Sequence, residues 1–78
     1  MRSFGAWKSQ VVVWLMKLEC KNEQMKQQRD HLIMKLDNLR SRWLASFLTR
    51  LHAFCQYWKV EIPDDLLPTK EEILNWRE

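Results

Sequence analysis

The feature that most constrains this chain is a regular stripe of large apolar residues through its middle. The residues are separated by 4, 3, 4, 4, 4, 3 and 4 positions, so at ~100° per residue they share one face of a helix. The members of the stripe are Leu32, Leu36, Leu39, Trp43, Phe47, Leu51, Phe54 and Trp58. Their mean spacing of about 3.7 predicts a nearly straight amphipathic helix, coiled-coil-like but not a strict heptad repeat.

The stripe predicts a long helix over residues 24–60, which no Gly or Pro interrupts. A face of this length is difficult for 78 residues to cover, so it must pack on a second copy, on another protein or on the rest of the chain. Trp43 and Trp58 each offer ~200 Å² of surface and are expected to be buried in whichever contact forms. The residues predicted to form a protein-interaction face are Leu36, Leu39, Trp43, Phe47, Leu51, Phe54 and Trp58.

Composition predicts one small all-α domain over residues 1–78. Apolar residues make up 46% of the chain and there is a single Gly, while neither strand alternation nor a hairpin turn signal is present. A domain of this size rarely gains more than ~3–5 kcal/mol from its own core. We therefore expect a helical dimer, most simply a homodimer.

Before the stripe, an apolar face spaced like a helix runs from Phe4 to Leu18 and predicts a helix over residues 4–20. The β-branched run at Val11 leaves a short strand as the alternative. Residues 19–30 are polar, and Asn22 is suited both to end one helix and to cap the next. A turn near residues 20–24 would give a helical hairpin, whereas an unbroken helix would need a second chain along its length.

After the stripe, Pro63 restricts the backbone before it, so a loop is expected over residues 61–69. Thr69 and Glu72 have the spacing of a capping box, which predicts a short helix over residues 70–77. So short a helix needs contact to be stable. Its apolar residues, expected to make that contact, are Ile73, Leu74 and Trp76.

The predicted docking surface for this acidic tail is the end of the long helix around Phe54, Trp58 and Lys59, or the same region of a second subunit. Two alternatives remain open from the sequence alone. The tail is either disordered, or it folds only on a partner.

Charge is unevenly distributed along the chain. Residues 1–60 contain 11 Lys or Arg against four acids, whereas residues 61–78 contain two bases against six acids. A basic flank on a continuous helix would make possible phosphate contacts with a nucleic acid. The residues of this flank are Lys17, Lys21, Lys35, Arg42 and Arg50.

No pattern indicates catalysis, and we expect no catalytic residue, metal or cofactor. His52 and Cys55 share a helix face and could meet His31 or Cys20 in a zinc site, or act as a nucleophile and base, but no metal-ligand motif or oxyanion-binding turn accompanies them. Two cysteines are too few for a secreted disulfide framework, which favours a cytoplasmic protein. No apolar run is long enough to be a transmembrane segment.

The surplus of large apolar residues, including five Trp, favours a non-enzymatic protein-binding regulator or inhibitor that covers a surface of a larger protein. Nucleic-acid binding through the basic flank is the alternative. A weaker possibility places the aromatic N-terminal segment, with Lys8 and Lys17, at a membrane surface.

Overall fold

The computed structural model describes residues 1–77 and contains four α-helices joined by short turns, which confirms the all-α class. A 3-10 turn precedes α3 and another precedes α4. The elements in chain order are α1 (Phe4–Lys17), α2 (Glu23–Asp37), the 3-10 turn Ser41–Trp43, α3 (Leu44–Trp58), the 3-10 turn Asp64–Leu66 and α4 (Lys70–Asn75).

The first helix, α1, begins at a side-chain cap and contains the whole valine run. Ser3 Oγ accepts a hydrogen bond from the Ala6 amide at 3.1 Å, which satisfies one of the free amides of the first turn. The helix ends at Lys17, three residues before the predicted end, because Leu18 is extended. Helix rather than strand is therefore the correct alternative for this segment.

The chain turns back between α1 and α2, as the hairpin alternative predicted. Asn22 caps α2, its Oδ1 accepting from the Met25 amide at 2.8 Å. The Arg29 guanidinium of α2 reaches across the hairpin and donates to the Leu15 carbonyl at 3.2 Å. Since that carbonyl belongs to the last turn of α1, the hydrogen bond ties the two helices together beside the turn.

The predicted helix over 24–60 is broken, and this prediction is wrong. Residues 38–43 separate α2 from α3, and the Asn38 side-chain amide donates to the Met34 carbonyl at 3.3 Å at the end of α2. A continuous helix of the predicted length would extend ~55 Å, whereas the longest dimension of the molecule is 37 Å.

Burial of the stripe explains why the chain folds back at this point. The break lets Phe47 and Leu51 of α3 join Leu36 of α2 in one core, where they gain more from burial than a continuous helix would gain from its backbone hydrogen bonds. Lys8 of α1 holds the junction by donating to the Leu39 carbonyl at 3.2 Å.

The last long helix, α3, ends in a left-handed residue. Lys59 has φ 57° and ψ 47°, and the Val60 amide donates to the Cys55 carbonyl at 2.9 Å while the Lys59 amide donates to the Gln56 carbonyl at 3.4 Å. This pair of bonds is the Schellman arrangement, which satisfies the final carbonyls of a helix. The helix stops before Pro63, close to the position that the sequence predicts.

The core is formed between α1, α2 and α3 and is closed at one end by α4. Trp43 is absent from it, being 57% exposed, so the chain's own core does not bury this side chain and its burial in a contact with another chain stays a prediction. Trp58 is half-buried and donates through its indole to Gln28 Oε1 at 2.9 Å. The buried apolar residues are Trp7, Val11, Leu15, Met25, Leu32, Leu36, Leu44, Phe47, Leu51, Phe54, Cys55 and Trp76.

The C-terminal tail docks, but at another place than the sequence suggested. Both hydrogen bonds of the capping box form at Thr69 and Glu72, and Trp76 packs on Phe4 and Trp7 with ring centroids 5.4 and 5.5 Å apart. The docking surface is therefore the start of α1 and not the end of α3.

Of the three apolar tail residues, two make the expected kind of contact. Trp76 is buried, and Ile73 is half-buried against the core. Leu74 is 60% exposed, so within the chain it is not buried as Trp76 is, and its predicted contact with a second subunit stays untested. The helix of residues 70–75 is also two residues shorter than predicted.

Candidate functional site

The candidate site is a groove where the second half of α2 meets the first half of α3. We call it the α2–α3 groove; its volume is about 450 Å³. The break at residues 38–43 lets it form, because the polypeptide turns there and places the second half of α2 beside the first half of α3. The groove is lined by His31, Met34, Lys35, Asn38, Leu39, Arg40, Trp43, Ser46, Phe47 and Arg50.

Trp43 lies in the wall of this groove at the end of the 3-10 turn. The turn fixes its backbone, since the Trp43 amide donates to the Arg40 carbonyl at 2.9 Å. Its ring is covered on one side by the Arg42 guanidinium, whose central carbon lies 5.4 Å from the ring centroid. This is cation–π distance and holds the indole in place without burying it.

The other four tryptophans are buried or half-buried. Three of them, Trp7, Trp58 and Trp76, also donate an indole hydrogen bond, to the Leu66 carbonyl, to Gln28 and to the Arg2 carbonyl respectively. Among the described residues Trp43 has no such acceptor. The exposure of Trp43 therefore distinguishes this position from those of the other four tryptophans.

The remaining apolar residues that line the groove differ in how firmly the core holds their side chains. Phe47 is buried and Leu39 is half-buried, so these two side chains are held by the core. Met34 is 63% exposed. Because a methionine side chain is unbranched and polarizable, it adapts its shape to what it contacts.

The polar lining is basic on both sides. α2 contributes His31 and Lys35, the link contributes Arg40, and α3 contributes Arg50. In the part of the chain that the structure describes, no acidic side chain lines the groove, and the two ion pairs present use Arg2 and Arg29 instead. The lysine and arginine side chains of the groove therefore form no ion pair within residues 1–77, which gives the groove a positive electrostatic potential.

The structure divides the predicted phosphate-binding flank. Lys35 and Arg50 line the α2–α3 groove, and Arg42 stands beside it on the Trp43 ring. Lys17 and Lys21 lie at the α1–α2 turn, at the other end of α2, ~20 Å away along that helix. The flank that a continuous helix would have formed is thus two separate basic regions.

The predicted interaction face is mostly internal. Four of its residues are buried in the chain's own core, Leu39 and Trp58 are half-buried, and Trp43 alone is exposed. The four buried members are Leu36, Phe47, Leu51 and Phe54.

Sequence reasoning missed Met34, His31 and Arg40 as surface residues of one site. No local signal marked these residues as one site, because the groove forms only where the chain folds back at residues 38–43.

The cysteines and histidines form no reactive cluster. Burial raises the pKa of the Cys55 thiol to about 11, so the thiol stays protonated near neutral pH. Cys20 is a second free thiol, and its Sγ lies 3.9 Å from the Leu18 carbonyl oxygen. Within residues 1–77 no group of three His, Cys, Asp or Glu side chains is placed to hold a metal ion.

No helix within the described residues has the length and apolar character needed to cross a membrane. Comparison with known proteins gives no match, whether with protein-family models, curated proteins or solved structures. Function must therefore be inferred from the groove itself.

Proposed function

We propose that the protein is a non-enzymatic helical binding module that regulates or inhibits a larger protein by holding part of its surface in the α2–α3 groove. The observation that supports this proposal is the exposure of Trp43, 57% of whose surface is accessible. A monomer gains nothing in stability from leaving so large an apolar side chain in water.

Tryptophan and arginine are the residue types that most often dominate binding energy at protein interfaces. Both occur here on a concave surface, with Trp43 and Phe47 providing apolar area and Arg40 and Arg50 providing directional donors. The backbone around Trp43 is fixed by a turn, so little conformational freedom is lost on binding. These are the properties of a preformed docking site.

We also propose that the protein is cytoplasmic, and this location and the non-enzymatic character have separate support. The high pKa of Cys55 argues against a thiolate nucleophile at that position. Both cysteines are free, as is usual in a reducing compartment.

The test is affinity capture from an extract of the native cells, followed by binding measurements with the purified partner. Trp43→Ala should remove the partner. Tyr57→Ala is the matched control, because Tyr57 is an exposed aromatic residue near the far end of α3 and outside the groove. A partner retained equally by both variants would refute the assignment to this groove.

Nucleic-acid binding is the second candidate, favoured by the proximity of an exposed indole to Lys35, Arg42 and Arg50. Aromatic stacking combined with phosphate contacts is how single strands are held. The test is a titration with labelled single-stranded and duplex DNA at low and moderate salt. Binding that falls steeply with salt and is lost on Lys35→Glu with Arg42→Glu would favour this candidate.

The homodimer stays a prediction. The stripe that motivated it is largely covered by the chain's own helices, so a second copy would have to use surface residues such as Val13 and Met16, which are exposed on α1. Sedimentation at tens of micromolar protein tests it, and a single monomeric species would refute it.

A further inference from the structure

The lining of the α2–α3 groove also indicates what kind of partner it takes. Resting on the proposed function, we infer that the groove binds an acidic peptide segment of the partner that inserts one bulky apolar side chain. Three observations support this: the apolar lining, the unpaired basic walls and the short extent of the basic region.

The apolar residues that line the groove favour an apolar side chain of the partner. The groove volume of about 450 Å³ is at the small end of the range of about 300–1,000 Å³ typical of ligand sites. Its apolar lining combines the buried ring of Phe47 with the exposed side chains of Trp43 and Met34. A large aliphatic or aromatic side chain entering here would cover the exposed surfaces of both Trp43 and Met34, which are the groove's most exposed apolar residues.

The walls select negative charge around that apolar group. Lys35 and Arg50 come from opposite helices and Arg40 from the link between them, so an inserted segment would meet cations on more than one side. Arg presents a planar set of donors that matches a carboxylate with two parallel hydrogen bonds. A basic segment would meet like charges in the same place and be rejected.

The extent of the basic region favours a short peptide over a nucleic-acid strand. Lys17 and Lys21 lie at the far end of α2, so these two cations do not extend the basic lining of the groove along successive phosphates of one strand. The Arg42 guanidinium also occupies one side of the Trp43 ring, which limits base stacking there. Carboxylates clustered around one apolar side chain fit both facts.

The test uses the full chain and fluorescein-labelled synthetic peptides, with binding followed by anisotropy. The probe peptide carries a Leu-Leu pair between two pairs of Glu. One control peptide replaces every Glu by Gln, a second replaces both Leu by Ser, and a short oligo(dT) is the nucleic-acid arm. We expect the dissociation constant of the probe peptide to be lower than that of each control peptide and of oligo(dT) by a factor of about ten or more.

Protein variants then locate the binding. Lys35→Glu with Arg50→Glu should weaken probe binding by about tenfold or more. Lys17→Glu with Lys21→Glu makes the same change in net charge away from the groove and should change it less than about twofold. Circular dichroism of both double variants confirms that each is folded. Equal effects of the two would overturn the inference, since they would show attraction to net charge alone.

The peptide results separate this inference from the proposed function. If the Gln peptide or oligo(dT) binds as well as the probe, the acidic-segment inference is overturned, whichever way Trp43→Ala affects capture of the native partner. If no peptide binds although Trp43→Ala still removes that partner, the inference is overturned and the binding function stands. If Trp43→Ala leaves capture unchanged, the function itself fails.

Discussion

Two regions of this molecule are built from the same kinds of residue and differ in how fully they are paired. The terminal cluster, where the chain's start meets α4, consists of Arg2, Phe4, Trp7, Glu72 and Trp76. The α2–α3 groove likewise combines arginine, phenylalanine and tryptophan. In the terminal cluster the side chains pair with one another, whereas in the groove several of them remain exposed to solvent.

In the terminal cluster every strong donor has its acceptor. Arg2 Nε and Nη2 each lie 2.8 Å from a different carboxylate oxygen of Glu72, and Trp7 is fully buried beside Trp76. In the groove, no carboxylate within residues 1–77 faces the arginines and Trp43 is exposed. Residue type alone therefore does not distinguish a structural cluster from a binding surface. The two differ in whether the chain itself provides hydrogen-bond, ion-pair and packing partners for these residues.

The largest effect should come from opening the terminal cluster. Trp7→Ala removes a fully buried ring that contacts Phe4, Phe47 and Trp76, so it should cost about 3–5 kcal/mol of unfolding free energy. Urea titration followed by circular dichroism measures this loss. Trp7→Phe keeps part of the ring contact and should lose less, which keeps the prediction measurable if the Ala variant does not fold. An Ala variant as stable as the natural chain would show that the cluster is not a core.

The elements that could be predicted from the sequence are those with local signals. The Asn22 cap, the Thr69 capping box and the stop before Pro63 each depend on a few adjacent residues, and each is found near its predicted position. Helix periodicity likewise identified the face of α1 and the apolar stripe, although the stripe was assigned to one helix where the structure has α2 and α3. What local pattern could not show was the break at residues 38–43, since no Gly or Pro marks it and the apolar phase continues across it.

The candidate site was largely unpredictable for the same reason. A groove formed where the chain folds back depends on which helices pack together, and that is decided by burial over the whole core. Trp43 was predicted as one of seven residues of an interaction face, and it is the member of that face that the structure leaves exposed. The Arg2–Glu72 pair joins residues 70 positions apart, a distance at which sequence spacing carries no information.

The second prediction concerns pH and the ion pair of the terminal cluster. Hydrogen bonds from the Arg2 guanidinium, and then from the Thr69 amide, hold the pKa of Glu72 well below its ordinary value of 4.5. A lowered folded-state pKa means that the stabilisation is complete above pH 4.5 and is lost as the pH falls toward the folded-state pKa.

Glu72→Gln should therefore be less stable than the natural chain at neutral pH, and the difference should shrink as the pH falls below about 4.5. Urea midpoints at a series of pH values measure both chains under the same conditions. A difference that stays constant from neutral pH down to strong acid would mean that the carboxylate charge contributes nothing.

A smaller effect is expected from the cap of α4. Thr69→Ala removes the hydroxyl that accepts from the Glu72 amide at 3.1 Å, which should cost about 1 kcal/mol. Thr49→Ala is the matched control, because the Thr49 hydroxyl is exposed and bonds only to the Ala45 carbonyl of its own helix. Thermal melts that shift equally for both variants would show that α4 does not depend on its capping box.

The smallest effect on stability should come from a substitution in the groove, which tests the difference between the groove and the terminal cluster most directly. Trp43→Ala deletes a side chain as large as that of Trp7, yet most of it already lies in water, so the unfolding free energy should change by no more than about 0.5 kcal/mol. Acrylamide quenching of tryptophan emission provides an independent measure. The natural chain should show a readily quenched fraction that is missing from Trp43→Ala, and the acidic probe peptide should protect that same fraction in the natural chain. A cost approaching that of Trp7→Ala would instead make Trp43 part of the core and the groove a crevice without a binding role.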